Sequence, residues 1–300
     1  MLEVYDPRLV RKPLVPLRYL TSTWRTIRAL ERLGPGAVVV TNPPIFAPLA
    51  VGLWCRARGA RLVLDSHPDA FGVRGLLWRA FVPVHRVLAR HAAATLVTTD
   101  ELAMRVDAWG GRGTVLHEPP PDRAPRPPRA PQGRPRVLVV ANFGYDEPIP
   151  AIIDAADGLG ECDVRITGDP RKASAELIAS AGSNVTFTGW LATPEYLAEV
   201  DAADVVVGLT TDGESVMRCA YEAIYLERVL VVSDTPPSRR YFSPGVFAGN
   251  DAASIARGVR DALTEHERWR AEARGRRERQ LARWSAQEAE LTAVLGHSAA

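Results

Sequence analysis

Short apolar runs alternate with amphipathic segments along most of the chain. In the first part, three runs are rich in β-branched residues: AVVVTN, RLVLDSH and ATLVTT. Before them, five apolar residues recur at helical spacing: Leu20, Trp24, Ile27, Leu30 and Leu33. Gly34 and Pro35 then predict the end of that helix. Because the strand-like runs are apolar at nearly every position, they are typical of a parallel sheet that is covered on both faces.

The second part of the chain repeats this alternation. Five further runs predict strands: RVLVVANF, DVRITGD, NVTFTGW, DVVVGLT and VLVVSD. Helical segments such as PIPAIIDAADGL and TPEYLAEVDAA fill the gaps between them. The pattern therefore predicts an α/β protein built from two Rossmann-like, doubly wound domains.

A segment rich in proline and arginine separates the two parts. Residues 119–135 cannot form a helix or a central strand because proline fixes φ and removes backbone donors. We interpret them as a semi-rigid linker. It separates an N-terminal domain, 1–118, from a C-terminal domain, 136–265, and residues 266–300 are predicted to form a helical tail that crosses back to the first domain.

The beginning of the chain departs from the usual order of a doubly wound domain. Residues 1–19 do not offer a strand, a glycine-rich turn and a helix in sequence. We therefore predict that the first domain lacks its first β-α unit, either because translation starts upstream of Met1 or because the fold is trimmed. Mass spectrometry of the native N terminus separates these alternatives, since a start at Met1 rules out the first.

Composition excludes several classes of function. The 300 residues carry a formal net charge of +2, which is too close to neutral for a dedicated nucleic-acid binder. Three widely spaced cysteines suggest neither a disulfide framework nor a metal cluster, and a reducing cytoplasm is the simplest location. We expect no transmembrane helix, because no apolar run is long enough to span a bilayer, and no signal peptide, because residues 1–20 have prolines and charges throughout and no continuous apolar core.

The most informative stretch is residues 204–234, where a strand leads through the turn TTDGES into a helix and a second strand. Glu214 is predicted just before the helix and Glu222 two turns inside it, so the two carboxylates would lie about 12 Å apart along the axis. Such carboxylates can accept hydrogen bonds from the hydroxyls of a sugar and of a ribose. Free amides near Ser215, Val216 and Met217 would face the pyrophosphate that joins them.

This stretch resembles the Glu-x7-Glu signature of retaining GT-B glycosyltransferases of the group 1, or family 4-like, type. The resemblance implies that Glu214 contacts the donor sugar as a catalytic residue and that Glu222 contacts the ribose. It also implies a base pocket at the Thr-Gly turn of Gly189, within NVTFTGWLATPEYLAEVDAADVVV. The implied fold places the active site in a cleft between the domains and uses a nucleotide-diphosphate sugar as co-substrate, with no cofactor and no obligatory metal.

One loop departs from the family pattern. The family's loop after the first strand of the second domain usually has Arg and Lys, whereas ANFGYDEPIPAII has Asp146 and Glu147 and no cation. Gly144 can still let backbone amides approach a phosphate. We expect the positive charge to come from Arg218, or from Arg171 and Lys172; the alternative for each is an exposed basic side chain.

In the first domain, His67 is the strongest candidate. It ends the run RLVLDSH, where ligand crevices of α/β sheets open, and retaining GT-B enzymes often have a histidine at this strand end. We predict His67 as a catalytic residue near the reactive side of the sugar. Acceptor-side candidates are Asn42, Asp65 and Asp69, with capping or turn formation as the alternative for Asn42; His85, His91 and His117 are interpreted as structural.

The acceptor is less constrained than the donor. Residues 74–91 mix Trp78, Phe81 and leucines with four arginines, and together with residues 11–20 they form a hypothetical basic, aromatic surface for anionic lipids at the inner face of the membrane. Ordinary amphipathic helices are the alternative, and liposome co-sedimentation without a preference for anionic lipid would support it. A lipid-linked or cell-envelope glycan is the predicted acceptor, which places the protein in polysaccharide biosynthesis.

Two other functions fit the same architecture. A nucleotide-sugar 2-epimerase would convert the donor alone. A non-catalytic GT-B-like partner subunit is favoured by the acidic residues 146–147 and by the short first domain.

Overall fold

The computed structural model describes residues 15–72, 79–126 and 133–296. Two compact units account for the chain: unit 1 comprises 1–116 and 287–300, and unit 2 comprises 117–286. Within the described ranges, no helix is both long and apolar enough to cross a membrane. Residues 73–78, which include part of the hypothetical lipid surface, and the first residues of the chain lie outside the described ranges. The bounds given above for the domains, linker and tail remain predictions.

Unit 1 contains a parallel sheet of four described strands in the order β1-β2-β3-β4. The strands are β1 (Ala37–Asn42), β2 (Arg61–Ser66), β3 (Ala94–Val97) and β4 (Gly113–Val115). The helices are α1 (Val15–Leu33), α2 (Phe46–Arg58), α3 (Val82–His91) and α4 (Asp100–Ala108), and a short 3-10 helix spans Pro68–Phe71. The predicted strands β1 to β3 are confirmed to within a few residues, whereas the three-residue β4 was not predicted.

Successive residues of β2 explain why this strand is apolar throughout. Leu62 and Leu64 are buried in a cluster with residues of helices α1 to α4, whereas Val63 is buried against β3 residues and Val294. Because strand side chains alternate between faces, both faces of β2 are covered. Val294 belongs to the last helix of the chain, α11 (His266–Leu295), whose final turns are part of unit 1.

Unit 2 contains a parallel sheet of six described strands in the order β10-β9-β8-β5-β6-β7. The strands are β5 (Arg136–Val139), β6 (Asp163–Thr167), β7 (Val185–Gly189), β8 (Val205–Gly208), β9 (Val229–Ser233) and β10 (Val246–Ala248). The helices before α11 are α5 (Ile149–Asp157), α6 (Ala175–Ala179), α7 (Thr193–Ala202), α8 (Arg218–Tyr225), α9 (Pro236–Phe242) and α10 (Ala252–Thr264).

Helices cover both faces of this sheet. Val137 and Val139 pack in a cluster with residues of α5 and α10, whereas Leu138 packs with residues of α7, α8 and α9. The strand order reverses at β5, which pairs with both β6 and β8. This reversal defines a doubly wound sheet, and the predicted α/β fold class is confirmed.

Candidate functional site

The reversal in strand order positions the candidate site. At such a switch point the loops after two adjacent strands leave in opposite directions and open a crevice at the carboxyl ends of the strands. In unit 2 the two loops are residues 140–148, after β5, and residues 209–217, after β8. They are joined by Asp146, whose backbone oxygen accepts from the amide of Thr211 at 2.6 Å and whose Oδ2 accepts from the hydroxyl of Thr210 at 3.2 Å.

A cavity of about 460 Å³ lies at this place in unit 2. Its walls come from the two loops, the segments at the ends of β6 and β7, the start of α7 and the first two turns of α8, with these lining residues: Val140, Ala141, Asn142, Gly144, Asp146, Glu147, Thr167, Gly168, Trp190, Leu191, Thr193, Tyr196, Val216, Met217, Arg218, Cys219 and Glu222. The volume is in the range of small-molecule sites, and the lining combines an exposed indole with charged side chains.

Glu222 lies in α8 with only 8% of its side chain exposed. Its Oε2 accepts from the phenol of Tyr196 at 2.5 Å, and its Oε1 accepts from Nε of Arg218 at 2.9 Å. Arg218 also lies 3.6 Å from Glu118. The pKa of Tyr196 is raised mainly by burial and further by the nearby charge of Glu222, so the phenol stays protonated and donates the hydrogen bond. The carboxylate of Glu222 is therefore held in a fixed orientation at the cavity wall.

The start of the site helix differs from the prediction. We expected helical amides near Ser215, Val216 and Met217, but α8 begins at Arg218 and Met217 is extended. The physical reason is Asp212, whose Oδ1 accepts from the amide of Glu214 at 2.9 Å and whose Oδ2 accepts from the hydroxyl of Ser215 at 2.6 Å. These local bonds stabilise a turn in place of a helical turn. Glu222 therefore lies one turn inside the helix, and the separation expected from a continuous helix between the two glutamates does not apply.

The predicted donor-binding residues are distributed unevenly around the cavity. Gly144, Val216, Met217, Arg218 and Glu222 line it, whereas Glu214, Ser215 and Gly189 are not among its lining residues. Gly189 ends β7 with φ of +73°, which favours glycine, and directly precedes Trp190 at the cavity. The roles of all the predicted residues in donor binding remain predictions.

The loop after β5 holds a carboxylate within its own backbone. Glu147 Oε1 and Oε2 accept from the amide of Asn142 at 3.0 and 2.9 Å, and Oε2 also accepts from the amide of Gly144 at 2.9 Å. Phe143, between them, has φ of +55°, a left-handed conformation uncommon for a bulky residue. Consecutive amides that converge in this way form an anion-binding concavity.

Of the three candidate cations, two contact the cavity region. Arg218 lines the cavity, and Nζ of Lys172 donates to the carbonyl of Asn142 at 2.7 Å. Arg171 instead pairs with Asp169 through two hydrogen bonds, with 88% of its side chain exposed. Lys172 is therefore better placed than Arg171 to offset negative charge at the loop.

In unit 1, the acceptor-side candidates collect at the ends of β1 and β2. Asn42 ends β1 with its side chain buried, and its carbonyl accepts from the amide of His67 at 2.9 Å. The imidazole of His67 is 55% exposed and lies 4.0 Å from Oδ2 of Asp65, which also accepts from the hydroxyl of Thr41. Asp69 follows in the 3-10 helix.

A buried histidine fixes the turn that presents His67. Nδ1 of His85 lies 3.1 Å from the carbonyl of Ala70 and Nε2 lies 3.0 Å from Oγ of Ser66. Because a carbonyl can only accept, Nδ1 donates and Nε2 accepts from the serine hydroxyl. Burial is the main cause that lowers the pKa of His85 to about 4, and the hydrogen bond to the carbonyl of Ala70 opposes this shift. The interpretation of His85 as structural agrees with these contacts.

We expect His85 to make the stability of the protein depend on pH. Because its pKa is lowered from 6.5 to about 4, its contribution is complete above pH 6.5 and is lost as the pH falls toward 4, when the unfolded chain takes up the proton first. The loss is on the order of 3 kcal/mol of unfolding free energy. Denaturant unfolding at pH 7.5 and pH 5 measures this effect. The unfolding free energy should decrease less between these pH values for His85→Gln than for the wild type, whereas His91→Gln, at an exposed site, should show the wild-type decrease. Equal decreases in all three proteins would contradict this role of His85.

Two residues of the site were missed by sequence analysis as functional contacts. Tyr196 lies 26 positions before Glu222 along the chain, and its position in TPEYLAEVDAA gives no signal beyond helical spacing. The contact of Glu147 with the amides depends on the backbone of Phe143, which sequence alone does not reveal. Among the described residues, no group of three His, Cys, Asp or Glu side chains could hold a metal ion.

Comparison with known families identifies the chain. Residues 2–121 match the family described as glycosyl transferase 4-like domain, and residues 150–290 match the family described as glycosyl transferase-like. The chain belongs to these glycosyltransferases. The predicted family is therefore confirmed. No curated protein matches the sequence significantly.

Solved structures agree on the fold of this glycosyltransferase. Sucrose-phosphate synthase from Thermosynechococcus elongatus is 18% identical, with a TM-score of 0.76 over 97% of this chain and 79% of that one. HepE from Anabaena in complex with UDP-glucose is 14% identical, with a TM-score of 0.70 over 95% and 84%. OtsA is 14% identical, with a TM-score of 0.69 over 95% and 78%. These similarities confirm the GT-B fold.

Proposed function

We propose that this glycosyltransferase moves a hexosyl group from a nucleoside-diphosphate sugar to an acceptor hydroxyl, with retention of configuration and without an obligatory metal. The observation that supports this function best is the cavity of unit 2, where Glu222 and Arg218 meet at the switch point of the sheet. Nucleotides bind at such points because the loops there offer backbone amides and room for phosphates.

Each part of the cavity suits one part of the proposed donor. The carboxylate of Glu222 can accept from ribose hydroxyls, and the exposed indole of Trp190 offers a face for a base. Arg218 and Lys172 can offset the charge that develops on the diphosphate as its bond to the anomeric carbon breaks. That bond is replaced by one to the acceptor oxygen.

The resemblance to retaining enzymes extends the proposal to two catalytic residues. His67 is exposed at the end of β2 on a turn that His85 holds, which suits a side chain that positions substrate or stabilises charge. Glu214 is proposed to contact the donor sugar from the turn that Asp212 fixes. The hexosyl group and the uridine base are suggested by UDP-glucose in the HepE complex. A lipid-linked or cell-envelope glycan is the proposed acceptor class.

A panel of UDP, GDP and ADP sugars tests the proposed function. We expect one nucleotide series to raise the thermal unfolding midpoint, because a ligand that binds only the folded state stabilises it. With that donor and an acceptor, a glycosidic product should form with the anomeric configuration of the donor. If no nucleotide sugar binds, the proposed function is wrong; an epimer formed from donor alone would instead identify the epimerase.

The loop after β5 favours a second candidate, a non-catalytic GT-B-like subunit. Glu147 occupies the amides that would otherwise face a phosphate, and Asp146 adds a second carboxylate at the cavity. A subunit of this kind would bind nucleotides weakly or not at all and form no product with any donor. The same panel distinguishes it, because binding without turnover across all donors and acceptors would support this candidate.

A further inference from the structure

The carboxylate of Glu147 lies where an anionic ligand of the cavity would be expected. Three hydrogen bonds of 2.9 to 3.0 Å join it to the amides of Asn142 and Gly144. The amides of Gly144, Asn142 and Phe143 each act to lower the pKa of Glu147, so they favour its charged form. These amides follow β5 at the switch point, and both Gly144 and Glu147 line the cavity. Hydrogen bonds from amides to a carboxylate and to a phosphate oxygen use the same donors and the same geometry.

We propose that Glu147 is a built-in competitor for the diphosphate of the nucleotide and sets the affinity of the site for charged donors. This role rests on the proposed function. A diphosphate reaches the amides of Asn142 and Gly144 only after the carboxylate has left them. The displaced carboxylate then faces the phosphates as a like charge, which adds to the cost of binding.

Holding the carboxylate of Glu147 in this position costs free energy, which indicates that a ligand can displace it. Burial, the largest effect, raises its pKa, and the charge of Asp146 adds to this, while the amides of the loop oppose it. Phe143 has left-handed φ in the same loop. The hydrogen bonds from the loop amides offset these costs. A diphosphate has more oxygens and more charge than a carboxylate, so it can take the place of Glu147 at the same amides.

The rest of the loop is held without Glu147. Lys172 donates to the carbonyl of Asn142, and Asp146 bonds to Thr210 and Thr211 of the neighbouring loop. Removing the carboxylate of Glu147 should therefore free the amides while the loop keeps its place beside β8. Glu147→Gln tests charge with little change in shape, and Glu147→Ala removes the side chain.

Calorimetric titration with uridine, UMP and UDP tests this role. We expect Glu147→Ala to bind UDP about tenfold more tightly than the wild type, because UDP no longer has to displace a charge-assisted hydrogen bond from the amides. Glu147→Gln should show a smaller gain in affinity. Uridine, which has no phosphate, should bind all variants alike. Glu176→Ala, which removes an exposed carboxylate from the first turn of α6 away from the cavity lining, should match the wild type.

The outcomes separate this inference from the proposed function. If the wild type binds UDP and both Glu147 variants bind it equally or less tightly, Glu147 supports the loop and is no competitor, while the donor site stands. If UDP, GDP and ADP bind none of the proteins, the donor site and the competitor are both wrong. UDP binding that is present in the wild type and tighter in both Glu147 variants, with uridine binding unchanged, would support the donor site and the competitor together.

Discussion

Glu222→Ala is expected to reduce kcat/KM with the nucleotide-sugar donor by about 100-fold or more, because it removes the proposed ribose contact and with it the alignment of the diphosphate. The wild-type carboxylate is buried at the cavity wall and is oriented by Tyr196 and Arg218. Steady-state kinetics over a range of donor concentrations measure the loss.

Tyr196→Phe is the matched control for that substitution. It removes one hydrogen bond to Glu222 and leaves the carboxylate and its bond from Arg218. We expect about a fivefold loss, equivalent to roughly 1 kcal/mol for one such bond. Near-normal activity of Glu222→Ala, with an unchanged thermal midpoint, would show that the ribose does not bind there.

His67→Ala is expected to lower kcat by about 100-fold, as for a residue that positions substrate or stabilises charge in the transition state. Because its imidazole is more than half exposed, the fold should lose little stability. Nucleotide affinity should stay at the wild-type value, because unit 2 supplies the proposed nucleotide contacts. Turnover assays and calorimetry on the same variant separate the two effects.

His91→Ala provides the comparison for His67. His91 ends α3, and its exposed side chain lies 2.8 Å from the carbonyl of Val87 in the same helix. We expect its activity to match the wild type. If His67→Ala also retained near-normal turnover, the catalytic role inferred for the end of β2 would be wrong.

The strands β5 and β8, whose loops form the switch point of the site, were predictable from sequence because they are buried on both faces. Leu138 packs on one side of the unit 2 sheet and its neighbours Val137 and Val139 on the other, so the sequence shows an unbroken apolar run. The strands β4 and β10 have only three residues each, which is too short for such a run to be recognised.

The details of the site could not be predicted in the same way, because they depend on contacts between distant residues and on local backbone geometry. Asp212 delays the start of α8 through side-chain bonds to the turn, although the apolar spacing of 216–224 also fits a helix that begins earlier. Glu147 was recognised as an unusual charge in its loop. Its contacts with the loop amides arise from the left-handed backbone at Phe143.

A crystal structure with bound UDP would show whether the cavity of unit 2 is the nucleotide site. We expect the nucleotide in this cavity, with ribose hydroxyls within hydrogen-bond distance of Glu222 and the diphosphate close to Arg218 and the amides of Asn142 and Gly144. Glu147 should then have left those amides. UDP bound elsewhere, with Glu222 still joined to Tyr196 and Arg218 and facing no ligand, would show that the donor site proposed for unit 2 is wrong.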